Sequence, residues 1–267
     1  MLLAIDVGNT NIVLGVYEDE RLLATWRMTT TNSRTADEVG MFIHSLFDNS
    51  DLSASLVTDA IISSVVPNIM YSLVHGIRKY FKIEPMIVEA GLKTGINLKM
   101  DNPKELGADR IVNMVAAHEL YGGDIIVIDY GTATTFDVVS LNGEFLTGIT
   151  APGIQVCADA LFSSAAQIPK VEIKNPGSII VKNTINSLQA GILFGHVGET
   201  VYIIDKIKKA MPERSFKVVA TGGLARILDE AEDMFDVLDP VLTLKGLMII
   251  FNKNKRNQKK DAYYENR

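Results

Sequence analysis

Leu2-Leu3-Ala4-Ile5-Asp6-Val7-Gly8-Asn9-Thr10 and Ile125-Ile126-Val127-Ile128-Asp129-Tyr130-Gly131-Thr132-Ala133-Thr134 are two versions of one pattern. Each is an apolar run of strand length, then an Asp, a Gly, and small amide or hydroxyl residues leading into a second strand. The two aspartates lie 123 residues apart. Self-similarity on that scale predicts two α/β domains of like topology facing each other across a cleft.

Working outward from the first copy, Ile12 to Tyr17 and Leu22 to Met28 read as strands joined across Glu18-Asp19-Glu20, so three antiparallel strands open the chain. Val39, Phe42, Ile43, Leu46 and Phe47 then recur at helical spacing, and Thr35 with Glu38 forms a capping-box pattern, which starts a helix near Ala36. A strand at Ala60 to Val66, a helix at Ile69 to Phe81 and a short strand at Met86 to Val88 complete the order βββαβαβ, with a further helix at Arg110 to Leu120. From the second copy outward, strands at Thr134 to Val139 and Glu144 to Thr150 flank the hairpin signal Asn142-Gly143. Helical stretches, notably Glu199 to Met211, a strand at Lys217 to Ala220 and a closing helix at Leu242 to Phe251 repeat the first half's βββαβα order. The expected domains are residues 1–120 and 121–252, followed by a basic tail, 253–267, which reads as a frayed end.

Composition agrees with two modest domains. The chain has 267 residues, 47% of them apolar and 22% charged, as in globular proteins. Cys157 is the only cysteine, which excludes an internal disulfide or a Cys-based metal cluster and points to a reducing, cytoplasmic setting. No apolar run approaches the roughly 18 residues of a membrane span, and Asp6 interrupts the N-terminal apolar stretch, so neither secretion nor membrane insertion is expected. A net charge of −6 argues against a nucleic-acid partner, the six basic and two acidic residues of the tail notwithstanding.

An Asp at the C-terminal end of a strand sits where α/β folds bind ligands, and the Gly after it lets the backbone turn with its N–H groups outward. Asp-x-Gly followed by Asn or Thr suits phosphate and Mg²⁺: Gly8, Asn9, Thr10 and Thr132 would hold phosphate oxygens, with Asp6 acting through Mg²⁺ or its waters. A plain tight hairpin is the alternative for either copy alone. Thr221-Gly222-Gly223 would bring a third backbone turn close to a flat ligand such as adenosine. P-loop, dinucleotide-fingerprint and protein-kinase motifs are absent, and His44, His75, His118 and His196 lack metal-ligand spacing. Asn102 to Arg110 runs into an apolar helix, which puts Asp109 and Arg110 near its first turn. Asp109 is there either a cap or a base that takes a hydroxyl proton during phosphoryl transfer, with Arg110 clamping an anionic part of the acceptor.

The chain resembles, end to end, the type III pantothenate kinases of the actin-like ATPase superfamily, whose domains are actin-like (ribonuclease H-like). The resemblance rests on Asp6-Val7-Gly8-Asn9-Thr10-Asn11, Arg34-Thr35-x-Asp37-Glu38, Ser63-Ser64-Val65-Val66-Pro67, Gly107-Ala108-Asp109-Arg110, Asp129-x-Gly131-Thr132-Ala133-Thr134, Pro152-Gly153, Asn183-Thr184, Thr221-Gly222-Gly223 and Leu242 to Leu247. It implies ATP-dependent phosphorylation of the terminal hydroxyl of pantothenate to 4'-phosphopantothenate, the first step toward coenzyme A. It further implies ATP at Asp6, Val7, Gly8, Asn9, Thr10, Asn11, Ile12, Val13 and Thr132, and pantothenate at Gly107, Ala108, Asp109 and Arg110. Asp109 would be the base, Asp129 would hold K⁺ or NH₄⁺, and Thr184 would reach the substrate across a homodimer with a shared site. Many members carry an aromatic residue just before the Asn-Pro segment; here it is Met100, so one wall of the substrate pocket is expected to differ. Two other readings stand beside this one. An actin-like ATPase or phosphohydrolase would have the same paired turns but no use for Gly107 to Arg110. A non-catalytic regulatory relative would not need Asp6, Asp109 and Asp129 intact.

Overall fold

The structure is a computed structural model that describes residues 1–165 and 167–265. It divides into two compact units. The first comprises Met1–Ile96, Asp101–Ala116 and the chain from Leu242 onward; the second comprises Asn97–Met100 and Ala117–Val241.

In the first unit, β1 (Leu2–Val7), β2 (Asn11–Glu18), β3 (Arg21–Thr29), β4 (Asp59–Ser64) and β5 (Met86–Ile87) form one sheet in the order β3-β2-β1-β4-β5. β1 is antiparallel to β2 and parallel to β4, and as the central strand it is covered on both faces, hence its unbroken apolar run. Leu3, Ile5, Val7, Ile12, Leu14 and Ile62 share one face and pack with α1 (Ala36–Asp48) and α2 (Pro67–Phe81). The predicted capping box at the start of α1 is present: Glu38 N–H donates to Thr35 Oγ1 at 3.2 Å and Thr35 N–H to the Glu38 carboxylate at 2.7 Å. The opposite face of the sheet carries α7 (Leu242–Glu265), which packs on β1, β2 and β4.

The second unit repeats this plan strand for strand. β6 (Asp124–Tyr130), β7 (Ala133–Val139), β8 (Phe145–Pro152), β9 (Phe216–Gly222) and β10 (Val237–Leu238) form a sheet in the order β10-β9-β6-β7-β8. β6 is antiparallel to β7 and parallel to β9, as β1 is to β2 and β4. Its core lies under α4 (Ile154–Ser164), α5 (Thr184–Ala210) and α6 (Ala225–Asp229). The helix α3 (Ala108–Tyr121) belongs to the first unit up to Ala116 and to the second from Ala117.

Three features differ from the sequence-based expectation. The helical stretch expected at Glu199 to Met211 is the second half of one 27-residue helix, α5, which starts at Thr184 and is not broken by Gly195 and Gly198, tolerated on its exposed side. The closing helix, expected within a second domain of residues 121–252, belongs to the first unit. The expected frayed tail starts instead as part of that helix, which runs to Glu265. Asn254 is buried there and bonds the Lys93 backbone in both directions, at 3.0 Å to its N–H and 3.1 Å to its carbonyl. Lys255 bonds Asp59 at 2.6 Å. These polar ties between distant segments leave no periodic trace in sequence. The last two residues of that tail, 266 and 267, lie outside the described residues.

Candidate active site

The β1–β2 hairpin that carries Asp6 is held from two sides. Gly8 N–H donates to the Asn11 carbonyl at 3.0 Å. The loop after β3 supplies a second tie: Thr30 Oγ1 donates to the Gly8 carbonyl at 2.6 Å and Thr30 N–H to the Thr10 carbonyl at 3.0 Å. Asn9 and Thr10 are exposed at the tip, Asp6, Gly8, Asn11 and Val13 are half-buried, and Val7 and Ile12 are buried. The last two spend their side chains in the core with α1 and α2, so only their backbone is available to a ligand.

Asp6 stands in register with Val13 on β2 and Ser63 on β4. Ser63 is fully buried, and its Oγ has no hydrogen-bond partner among the described residues. Beyond β4, Val65 N–H donates to the Val7 carbonyl at 3.1 Å, and the Val65 side chain borders Gly107. This contact brings the Gly107–Arg110 segment alongside the C-terminal ends of β1 and β4.

Asp109 is the second residue of α3 and accepts the Arg110 N–H at 2.8 Å. Its carboxylate folds back over Gly107: a Cβ there would lie 2.5 Å from Asp109 Oδ1 and 3.3 Å from Val65 Cγ1. Glycine at 107 is thus what gives the carboxylate its room. Burial pushes the Asp109 carboxyl above the usual aspartate range, against the opposing pull of the Arg110 backbone N–H and guanidinium. A carboxylate poised this way serves either a proton transfer or the exposed N–H groups of a helix start.

In the second unit Asp129, the penultimate residue of β6, lies beside Thr135 of β7 and Thr221 of β9. Two glycines close this turn tightly. Gly222 has φ of 100°, a region that favours glycine, and a Cβ on it would sit 2.6 Å from Tyr130 N and O and 2.7 Å from Asp129 Oδ1. A Cβ on Gly153 would collide with the Thr132 carbonyl, to which Gly153 N–H donates at 3.2 Å. Met100 is half-buried in the short segment of this unit where Asn97 bridges to Glu144. Thr184 is the exposed first residue of α5, whose cap Asn183 accepts the Asn186 N–H at 2.8 Å.

Within the first unit, then, Asp6, the Gly8–Val13 hairpin and Gly107–Arg110 gather at one end of the sheet; Met100, Asp129, Thr132 and Thr184 belong to the second. Sequence reading assigned no role to Ser63 or Gly153. Each is a register or contact position relative to a named residue, and the repeat itself was the signal that could have found Ser63, since it matches Thr221.

A further feature of the second unit is apolar and exposed. Val156 and Leu161 on α4, with Ile185 and Val201 on α5, are each at least 39% exposed. Between the two helices lies a groove of about 320 Å³ lined by Cys157, Leu161, Gly191, Gly195, His196 and Glu199. His196 Nδ1–H donates to the Ile192 carbonyl, 2.8 Å away, while its buried Nε2 has no hydrogen-bond partner among the described residues.

Residues 2–206 match the family model described as type III pantothenate kinase. A relative from Agathobacter rectalis described as a type III pantothenate kinase is 52% identical over 256 residues, 96% of this chain and 98% of the relative. Among solved structures, an ethanolamine utilization protein from Carboxydothermus hydrogenoformans superposes with a TM-score of 0.55 at 16% identity, covering 93% of this chain and 89% of its own. The ROK hexokinase from Thermus thermophilus superposes with a TM-score of 0.50 at 12% identity, covering 93% and 97%. At such identities these two share the fold alone.

Proposed function

The chain belongs to the type III pantothenate kinase family and functions as a pantothenate kinase, and from that premise we propose how its paired turns divide the work. In the first unit the N–H groups of the Gly8–Thr10 tip take nucleotide phosphates of ATP, with Asp6 holding Mg²⁺ through water; in the second, Thr132 is a phosphate contact and Asp129 holds K⁺ or NH₄⁺. Among the described residues no three His, Cys, Asp or Glu side chains form a metal cluster, so each ion would complete its shell with water, phosphate and backbone oxygens. The residues fit that demand: Asp6 has beside it the buried hydroxyl of Ser63, without a hydrogen-bond partner among the described residues, and Gly222 leaves room beside the Asp129 carboxylate, 2.7 Å from where a Cβ on Gly222 would sit. When bound, the cations supply neutralising charge for two anionic reactants.

The observation that carries the reading is the half-buried Asp109 carboxylate, folded over Gly107 and restrained by Arg110. Pantothenate would lie along Gly107, Ala108 and Arg110, its carboxylate taken by the guanidinium fork and its terminal hydroxyl within reach of Asp109. Asp109 accepts the hydroxyl proton as the γ-phosphoryl group transfers, and positioning supplies most of the acceleration. Met100, in the second unit, is a further proposed substrate contact. The test is an assay with pantothenate, ATP, Mg²⁺ and K⁺, omitting each in turn; ATP hydrolysis independent of pantothenate would favour an actin-like ATPase instead.

The exposed apolar face of α4 and α5 supports a homodimer as the working unit, with a second copy covering the groove and donating to His196 Nε2. Thr184 then contributes its hydroxyl to the partner's pantothenate site. Mixing Asp109→Asn and Thr184→Val chains, each inactive alone, restores activity on this reading; a monomer by light scattering at micromolar concentration overturns it. No described helix is long and apolar enough to cross a membrane; the single cysteine supports a cytoplasmic setting for the reaction.

A further inference from the structure

β4 is apolar through Ala60-Ile61-Ile62 and then turns polar at Ser63, while still inside the strand and fully buried. Parallel register sets Ser63 beside Asp6, so the two side chains rise from the same face of the sheet, the face opposite the α1–α2 core. A buried hydroxyl without a partner is destabilising, and a strand position with purely structural duties would carry an aliphatic residue at no such cost. The adjacent Ser64 shows the contrast: its Oγ accepts the Val66 N–H at 3.0 Å and so shapes the entry to α2. Ser63 Oγ makes no bond of that kind among the described residues. The second sheet repeats the juxtaposition, with Thr221 of β9 in register with Asp129.

We propose that Ser63 is a positioning residue for the Mg²⁺–nucleotide site at Asp6, its hydroxyl bonding a water of the ion's hydration shell and so fixing where Asp6 holds it. This rests on the reading that Asp6 serves Mg²⁺. A single hydroxyl at the C-terminal ends of β1 and β4 gives the shell a fixed direction that Asp6, with two equivalent oxygens, does not define alone.

The test compares the melting temperatures of wild type, Ser63→Ala and Ser63→Thr without ligand, with ADP alone and with Mg²⁺ plus ADP. Without ligand, Ser63→Ala is as stable as wild type or more so, because an unsatisfied group has been removed. Its response to Mg²⁺ plus ADP is reduced, with apparent affinity lower by roughly three- to tenfold, while its response to ADP alone is unchanged. Ser63→Thr, which keeps the hydroxyl, retains the wild-type response. A Ser63→Ala protein that is less stable without ligand yet responds normally to Mg²⁺ plus ADP overturns the proposal and makes Ser63 a packing residue. A wild type whose response to ADP is indifferent to Mg²⁺, and equal to that of Asp6→Asn, overturns the reading at Asp6 and the proposal with it.

Discussion

The two Asp-Gly turns are built on the same strand order yet end in different surroundings. The first, at Asp6, is an open hairpin: its tip, Asn9 and Thr10, is exposed, and its bracing comes from Thr30 on a neighbouring loop. The second, at Asp129, has an equally exposed tip, Gly131 and Thr132, but its base is packed by backbone, with Gly153 against the Thr132 carbonyl and Gly222 against Tyr130 and the Asp129 carboxylate. The register partners tell the same story. Ser64 stands beside Val7 where Gly222 stands beside Tyr130. One supersecondary unit, duplicated, is thus braced at its base by a neighbouring threonine in one copy and by two close-packed glycines in the other, the difference on which the proposed division between phosphates and a monovalent ion rests. Only the first copy adds a helix start bearing Asp109 beside its strand ends.

If that division holds, the largest effect belongs to Asp109. Asp109→Asn, near-isosteric and unable to take a proton, lowers kcat by roughly 10²- to 10⁴-fold with little change in melting temperature; near-normal turnover would reduce Asp109 to a cap. Because burial raises its carboxyl, the acid limb of the wild-type kcat profile lies above the ordinary aspartate range, activity falling as the pH drops through it. The Asn variant's residual activity lacks that limb.

Next comes the ion. Asp129→Ala reduces activity by about tenfold or more and abolishes its dependence on K⁺ or NH₄⁺. Full wild-type activity in sodium-only buffer would erase the proposed distinction between the two turns.

Exchanging the register partners probes the same contrast through stability. Gly222→Ser introduces a Cβ into a positive-φ position already in contact with backbone, and it destabilises by about 1–3 kcal/mol or more. Ser64→Gly in the first copy removes the two hydrogen bonds between Ser64 Oγ and the Val66 backbone and costs about 1 kcal/mol. Equal losses in thermal unfolding would mean that the second turn is no tighter than the first.

The smallest effect is at the tie between α7 and β4. Burial works against the Asp59 charge, but the Lys255 ammonium and the Thr58 hydroxyl outweigh it and hold its carboxyl below the usual value. Lys255→Ala costs up to about 1 kcal/mol at neutral pH, since the pair is partly exposed. A group with a depressed folded-state pKa stabilises above its unfolded value, so the difference between variant and wild type persists down to about pH 4 and disappears as acid protonates Asp59. A difference independent of pH would assign the loss to the Lys255 ammonium over the Phe251 ring, 5.0 Å from its centroid.

The sequence alone determined whatever depends on local period and local chemistry. The apolar run before Asp6 and its copy before Asp129, the Thr35–Glu38 box and the Asn142-Gly143 turn each fix a conformation within a few residues, and together they give the duplicated fold and the residue types of the site. The family motifs carried the activity for the same reason, being short contiguous strings. Tertiary structure alone decided what depends on contacts between distant segments. Asn254 on Lys93 and Lys255 on Asp59 draw the last helix into the first unit, against the order of the chain. Strand pairing puts Ser63 beside Asp6, and the reach of Val65 sets Gly107 and Asp109 at the ends of β1 and β4. Such pairings arise from register and close approach across tens of residues, where hydropathy and turn propensity carry no information about which strand lies next to which.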